Sequence, residues 1–244
     1  MTRAPEQRTG LVQIDRERLR FRVDRRTYSD PEVFRRERDT LFRRCWLYAG
    51  HGSEFLQAGD FVTRTIGGFD LILARDRGGR VGAFYNACTH RGSTICREAR
   101  GNARVVTCPY HGWVFDLQSG QLRDKATKSG YPADFNFDGA YDLRRVPRIE
   151  AYRDFHFINY DSGAVSLEQY LAGAVEYLDL VADQSDSGLE VIAGGQELYT
   201  PGNWKLLIEP SKALGKLSIC FNANFREARL RGLKLPVLRR HSRT

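Results

Sequence analysis

Residues 88–92 read Cys-Thr-His-Arg-Gly and residues 108–113 read Cys-Pro-Tyr-His-Gly-Trp. One residue separates Cys88 from His90 and two separate Cys108 from His111, so each pair fits one short loop and offers two metal ligands. The seventeen residues between the pairs fit a strand out and a strand back. A 2Fe-2S cluster held by two thiolates on one iron and two imidazoles on the other needs two such loops closing from opposite sides. Gly92, two positions after His90, and Gly112, directly after His111, stand where a loop folding over a cluster needs a residue without a Cβ. Two neutral imidazoles in place of two thiolates raise the potential to roughly −150 to +300 mV, against about −400 mV for all-cysteine plant-type ferredoxins. A tetrahedral zinc site uses the same residue types and is the competing reading. Zinc fingers, however, usually run Cys-x2-4-Cys and then His-x3-5-His, whereas each loop here mixes the two types.

These residues carry a resemblance. The segment Cys88–Trp113 resembles the Rieske motif of the large (alpha) subunit of bacterial aromatic-ring-hydroxylating dioxygenases. The likeness extends to residues 42–59, with Cys45-Trp46 and Gly50-His51-Gly52-Ser53-Glu54. It extends also to residues 130–209, with Tyr131-Pro132, Phe135, Tyr152-Arg153 and Gly202-Asn203-Trp204-Lys205-Leu206, which read like the benzoate and anthranilate type. It covers most of residues 25–209 and stops there.

The resemblance implies an α+β chain: an all-β Rieske 2Fe-2S domain followed by the opening part of an incomplete α+β, helix-grip-like catalytic domain. The division it implies is an N-terminal arm and helix at 1–44, the Rieske domain at 45–150, a partial catalytic domain at 151–210 and a basic tail outside the family pattern at 211–244. Cys88, His90, Cys108 and His111 are the implied cluster ligands. An NAD(P)H-dependent reductase or a ferredoxin is the implied electron donor, O2-dependent hydroxylation of an aromatic (acid) ring the implied reaction. Family members form homotrimers of large subunits, often with a small (beta) subunit.

In that family, a segment like Gly202–Glu209 opens a helix that continues through an Asn, an Asp and two His that bind a mononuclear Fe(II), with a distant carboxylate completing the triad. Here Glu209 matches, but Pro210 stands where the Asn is expected and Leu214 where the Asp is expected. Leu217 and Asn222 fall about where the two histidines belong, and His241 is the only histidine after His156. The mononuclear iron ligands are therefore absent, and no catalytic residue is assigned. Pro210 also removes a backbone donor that such a helix requires. We read the chain as truncated or frameshifted after about Glu209 and expect cluster binding without oxygenation. A Rieske-type electron-transfer protein without oxygenase activity is the alternative, and a zinc-binding interaction module with a basic tail is the third reading.

Composition bounds the rest. At 244 residues, 41% hydrophobic and 28% charged, the chain can bury one or two ordinary cores. No window approaches a membrane span, and Met1–Gly10 lacks the apolar core of a secretory signal, so the cytoplasm is the expected location. Three cysteines beyond the ligand pair, Cys45, Cys96 and Cys220, argue against a disulfide framework. Cys96 reads as a buried thiol. The net charge of +8 belongs entirely to residues 212–244, which hold nine Lys or Arg against Glu227 alone. Neither nucleic acid nor membrane is expected as a partner. A basic amphipathic helix over 225–238 is opposed by Gly232 and Pro236.

In chain order, residues 1–27 read as a polar arm. Asp30 and Pro31 open a helix whose stripe is Phe34, Leu41, Phe42, Cys45 and Trp46. Runs at 61–66, 71–74, 81–85 and 105–108 predict antiparallel strands, and 113–123 a hairpin. Tyr110 and Trp113 are expected to screen the cluster from water. Ser166 and Gln169 form a capping box ahead of a helix carrying Leu167, Leu171, Ala174, Val175, Leu178 and Val181, packed on a second domain that begins near Phe155. His51 reads as a capping histidine and His156 as a core one.

Overall fold

The computed structural model describes residues 7–126, 128–192 and 202–206, with the backbone of three short strands farther on. The N-terminal segment is not a polar arm: β1 (Gln7–Thr9), β2 (Val12–Asp15) and β3 (Arg20–Val23) make an antiparallel meander. The register sets Val12 opposite Val23 and Ile14 opposite Phe21, so a charge-rich sequence still places two apolar cross-strand pairs on one face. A short helix, α1 (Arg26–Ser29), precedes α2 (Pro31–Glu37), and the Asp30 carboxylate accepts from the Glu32 amide at 2.8 Å to cap it. The helix does not run on to Trp46. After Glu37 it widens into one π-type turn over Arg38–Phe42, which shifts the phase of the stripe, leaving Leu41 exposed and Phe42 buried against Phe34 and Trp204.

The central sheet has the order β7-β6-β5-β8, from β5 (Asp60–Ile66), β6 (Phe69–Arg75), β7 (Val81–Tyr85) and β8 (Arg100–Asn102). Gly67 and Gly68 close the β5–β6 hairpin with φ of 58° and 89°, a two-residue turn whose twist matches that of the strands. A second sheet orders β11-β10-β9, from β9 (Val105–Thr107), β10 (Val114–Asp116) and β11 (Leu122–Asp124). The strand out and strand back expected between the two Cys/His pairs therefore divide: β8 joins β5, while β9 joins β10. Between these sheets lies a core of Phe61, Ile72, Phe84, Trp113, Phe115 and Leu117, which also encloses Cys88, Cys96 and Cys108.

The third sheet orders β12-β13-β4, from β4 (Leu47–His51), β12 (Arg148–Tyr152) and β13 (Phe155–Asn159). Residue 150 thus lies inside β12, and the strand expected to open a second domain near Phe155 instead pairs with β4. Phe155, Phe157 and Ile158 are buried there, which gives β13 an apolar reason to close this sheet. The capping box forms as expected, with Ser166 Oγ accepting from the Gln169 amide at 3.2 Å. The helix is broken, however. α3 (Leu167–Leu171) ends at Ala172, whose φ is +44°, and α4 (Val175–Ala182) resumes after one 3-10 turn. Leu167 and Leu178 pack on Trp46, Tyr48, Phe155 and Phe157, so the helices cover the β4–β13 sheet rather than a separate domain. The overall fold is mixed α and β.

His51 caps the short turn Gly52–Glu54 through Nδ1, as expected. β14 (Leu189–Val191) pairs with β17 (Leu238–Arg240), and β15 (Phe225–Arg226) pairs with β16 (Arg229–Leu230), so strands occupy part of the stretch considered for a helix. Among the described residues, no helix is long and apolar enough to cross a membrane.

Candidate metal centre

Two loops carry the four sequence-predicted ligands, and the same backbone device closes both. In the first, the Gly92 amide donates to the Cys88 carbonyl at 2.7 Å and the Cys88 amide to the Ser93 carbonyl at 2.8 Å. In the second, the Gly112 amide donates to the Cys108 carbonyl at 3.0 Å and the Cys108 amide to the Trp113 carbonyl at 2.7 Å. Each closure turns the chain through a left-handed residue, with φ of 73° at Gly92 and 67° at Gly112, where a Cβ is strained. The extra residue of the second pair is thus absorbed inside a loop of the same closure length.

The fold brings the four side chains together two by two. Cys88 and Cys108 are buried, at 4% and 1% exposure, and the thiols lie within interaction distance of each other. Burial first, and then the neighbouring Cys108, push the Cys88 thiol above its usual range. The His90 and His111 rings meet edge to face with centroids 4.7 Å apart. Burial, and then His111 and Arg91, lower the pKa of His90, which favours the neutral imidazole. His90 Nδ1 is enclosed and has no hydrogen-bond partner, although the ring as a whole is only half-buried. An orphaned buried ring nitrogen beside a second imidazole, on loops whose cysteines bring two thiols together, is a donor set that fits a metal cluster. Among the described residues, no group of three or more His, Cys, Asp and Glu is placed to hold a single metal ion.

Aromatic rings wall one side. Trp113, 2% exposed, stacks on His90 with centroids 4.7 Å apart and planes 13° from parallel. Tyr131, Phe135 and Tyr141 surround Trp113 edge-on at 5.6 to 6.1 Å. Lys125 Nζ caps this group, 4.3 Å from the Phe135 centroid and 4.9 Å from that of Tyr131. Tyr110 behaves differently from expectation. It contacts the His111 ring at 3.8 Å but is 62% exposed, so Trp113 screens the site and Tyr110 lies at its surface.

Other supporting residues carried no sequence signal. Asn86 is buried two positions before Cys88: its Oδ1 accepts from the Cys96 amide at 2.9 Å and its Nδ2 donates to the Cys96 carbonyl at 2.7 Å. Thr89 Oγ1 donates to the Tyr141 carbonyl at 2.6 Å, tying the first loop to the connector across 52 positions. Cys96 is a buried free thiol, as expected. Far from these loops, Asn203, Trp204 and Lys205 are held by the N-terminal helices. Trp204 Nε1 and Lys205 Nζ both donate to the Glu37 carboxylate, at 3.0 and 2.6 Å, and Asn203 Nδ2 donates to the Tyr28 carbonyl at 3.1 Å. Glu209, Pro210, Leu214, Leu217, Asn222 and His241 lie outside the described residues.

With two loops of this closure on adjoining sheets, residues 45–147 match the Rieske [2Fe-2S] domain family. The chain carries a Rieske domain. The relatives it matches include large subunits of ring-hydroxylating dioxygenases. It is 36% identical to the toluate 1,2-dioxygenase alpha subunit of Pseudomonas putida over 201 residues, which is 82% of this chain and 44% of that protein. It is 40% identical to the anthranilate 1,2-dioxygenase large subunit of Acinetobacter baylyi over 190 residues, 76% of this chain and 39% of the relative. Among solved structures, naphthalene 1,2-dioxygenase from a Rhodococcus species bound to indole superposes with a TM-score of 0.64 at 38% identity, covering 72% of this chain and 40% of its own. The chain thus spans about two fifths of the length of the relatives it matches. Outside its Rieske domain, the likeness takes in the opening elements of the larger catalytic part, mixed in helix and strand.

Proposed function

We propose that Cys88 and Cys108 ligate one iron and His90 and His111 the other iron of a 2Fe-2S cluster, in the large subunit of an aromatic-ring-hydroxylating dioxygenase. The observation that carries this is the two-by-two grouping, thiol with thiol and imidazole with imidazole, together with the orphaned His90 Nδ1. One tetrahedral ion would require all four to converge on one point, whereas a two-iron cluster takes them in pairs. When bound, such a cluster supplies a one-electron acceptor at a potential well above that of an all-thiolate centre. Trp113 holds the His90 ring by stacking on it, and the Tyr131–Phe135–Tyr141 wall keeps water from that side. Tyr110 and Arg91 stand on the exposed side, where an NAD(P)H-dependent reductase or a ferredoxin delivers electrons.

The intact assembly on this reading is a homotrimer of large subunits, with or without a small subunit, working in the cytoplasm on an aromatic acid. The division proposed keeps the N-terminal segment at 1–44 and the basic tail at 211–244, while the boundary expected at 150 between the Rieske domain and the partial catalytic domain moves beyond Asn159, because β12 spans residue 150 and β13 pairs with β4. Because Pro210, Leu214, Leu217 and Asn222 replace the residues expected around a mononuclear iron, this chain binds the cluster but does not oxygenate by itself.

Anaerobic reconstitution with iron and sulfide tests the first claim. The expected product is brown, holds about two irons and two sulfides per chain, and gives an electron paramagnetic resonance signal only after reduction. A colourless protein that takes up one zinc and no sulfide would overturn it. For the second claim, the reconstituted chain is given a reductase, NADH, O2 and benzoate or anthranilate. No hydroxylated product is expected, and turnover by the chain alone would show that the oxygenation site is complete.

A further inference from the structure

A cleft of about 770 Å3 opens between β7, β12 and the β10–β11 turn, at the end of the second sheet away from the cluster loops. Arg104 lines it, four residues before Cys108 along β9, which places the cleft roughly 13 Å from the cysteine at about 3.3 Å per residue. Val81, Ala83, Val146 and Ile149 give it an apolar floor. Five arginines and three carboxylates also line it, and the ion pairs sort these charges. Asp76 is paired with Arg80 at 3.1 Å, Asp116 with Arg123 at 2.9 Å, and Glu150 with Arg148, which lies outside the lining. Each lining carboxylate is therefore already neutralised. Arg77, Arg104 and Arg145 are in no ion pair among the described residues.

Arg145 is also held in place. Its guanidinium lies 4.8 Å over the Phe84 ring and donates one hydrogen bond, at 2.7 Å, to the Ser119 carbonyl. A guanidinium has five donors, so most remain for a ligand, and a fixed side chain loses little entropy when it binds one. His156 stands in the wall, and burial lowers its pKa, so it offers a neutral imidazole rather than a further charge. Three unpaired guanidiniums above an apolar floor, in a space within the range of small-molecule sites, define a ligand by its chemistry.

We propose that this cleft binds a small organic polyanion, with two or more phosphate or carboxylate groups against Arg77, Arg104 and Arg145 and an apolar body on the Val81–Val146–Ile149 floor. The site is independent of the cluster assignment and does not use its ligands.

Isothermal titration of the full chain at about 0.15 M salt, where surface charge is largely screened, tests the proposal. The probes are adenosine triphosphate, benzene-1,2,4-tricarboxylate and inorganic pyrophosphate. At least one of the two organic anions is expected to bind one to one and about tenfold more tightly than pyrophosphate, because only they reach the floor. Which of the two binds assigns phosphate or carboxylate heads. Arg104→Gln and Arg77→Gln are each expected to weaken binding about tenfold, with an unchanged circular dichroism spectrum, while the distant Arg35→Gln leaves it unaltered. The proposal is overturned if neither organic anion saturates, if pyrophosphate binds as tightly as they do, or if the Arg77→Gln/Arg104→Gln double variant retains full affinity.

Discussion

The two ligand loops share a closure and differ in what surrounds them. Both return a glycine amide to the cysteine carbonyl four residues earlier, and both use a left-handed glycine to do so. A Cβ built on Gly92 meets nothing within 4 Å, whereas one on Gly112 comes within 3.0 Å of Ala126 Cβ. The first loop is tied down at its rim by the Thr89–Tyr141 hydrogen bond. The second passes straight into the buried Trp113 and then the buried Phe115 of β10. The loop with the wider Cys-to-His spacing is thus the one built into the core, and the other is held from outside. Backbone hydrogen bonding sets what they have in common, and packing sets what they do not.

The comparison can be broken most completely at the ligands themselves. Cys88→Ser and Cys108→Ser are each expected to lower the iron content of reconstituted protein from about two per chain to near zero, because either loss leaves a two-iron cluster open. Should one serine variant keep its visible absorption, the two loops would not be equivalent as ligand donors. Next in size is Trp113→Ala, which removes a buried ring stacked on His90 and is expected to cost about 3–5 kcal/mol in urea unfolding.

The glycines sharpen the contrast. Gly92→Ala meets only the left-handed backbone strain, about 1–2 kcal/mol, while Gly112→Ala adds the contact with Ala126 and is expected to cost roughly 1 kcal/mol more. Denaturation of the Gly112→Ala/Ala126→Gly double variant checks the cause, since it relieves the contact but not the strain. Equal costs at the two positions would remove packing from the account. At the rim, Thr89→Val is expected to cost about 1 kcal/mol by losing one hydrogen bond, and Tyr110→Phe close to nothing.

A smaller effect comes from pH. Asp116, which follows the second loop on β10, is buried, yet the Ser119 and Gln118 amides and Arg123 outweigh that burial and hold its carboxyl below the usual range. A depressed folded pKa means this stabilisation is complete above the ordinary carboxylate range and is lost as pH falls through the folded value. Stability measured between neutral and acid pH should therefore decline less steeply in Asp116→Asn than in the parent.

Much of the site was legible because its signal is local. A cysteine and a histidine one or two residues apart, each pair followed by glycine, fix the loop type whatever the rest of the chain does. The Asp30 cap and the Ser166–Gln169 box were legible for the same reason, since each is satisfied within three residues. The readings that failed depended on distant partners. The meander at 7–23 was hidden by charge because its apolar pairs appear only once β2 and β3 are in register. The connector packs Tyr131, Phe135 and Tyr141 on Trp113 while Tyr110 stays exposed, and nothing adjacent to Tyr110 encodes that choice.

The sequence by itself determined the donor set, the two glycine turns and the family likeness, because metal chemistry and backbone sterics act over a few residues. Only the tertiary structure decided the rest. It sends β8 and β9 to different sheets, joins β13 to β4, clips Trp204 and Lys205 to Glu37, and leaves Arg77, Arg104 and Arg145 unpaired around one cleft. Sheet pairing and charge neutralisation are settled between residues tens of positions apart, and an arginine reads the same in sequence whether or not a carboxylate faces it in the fold.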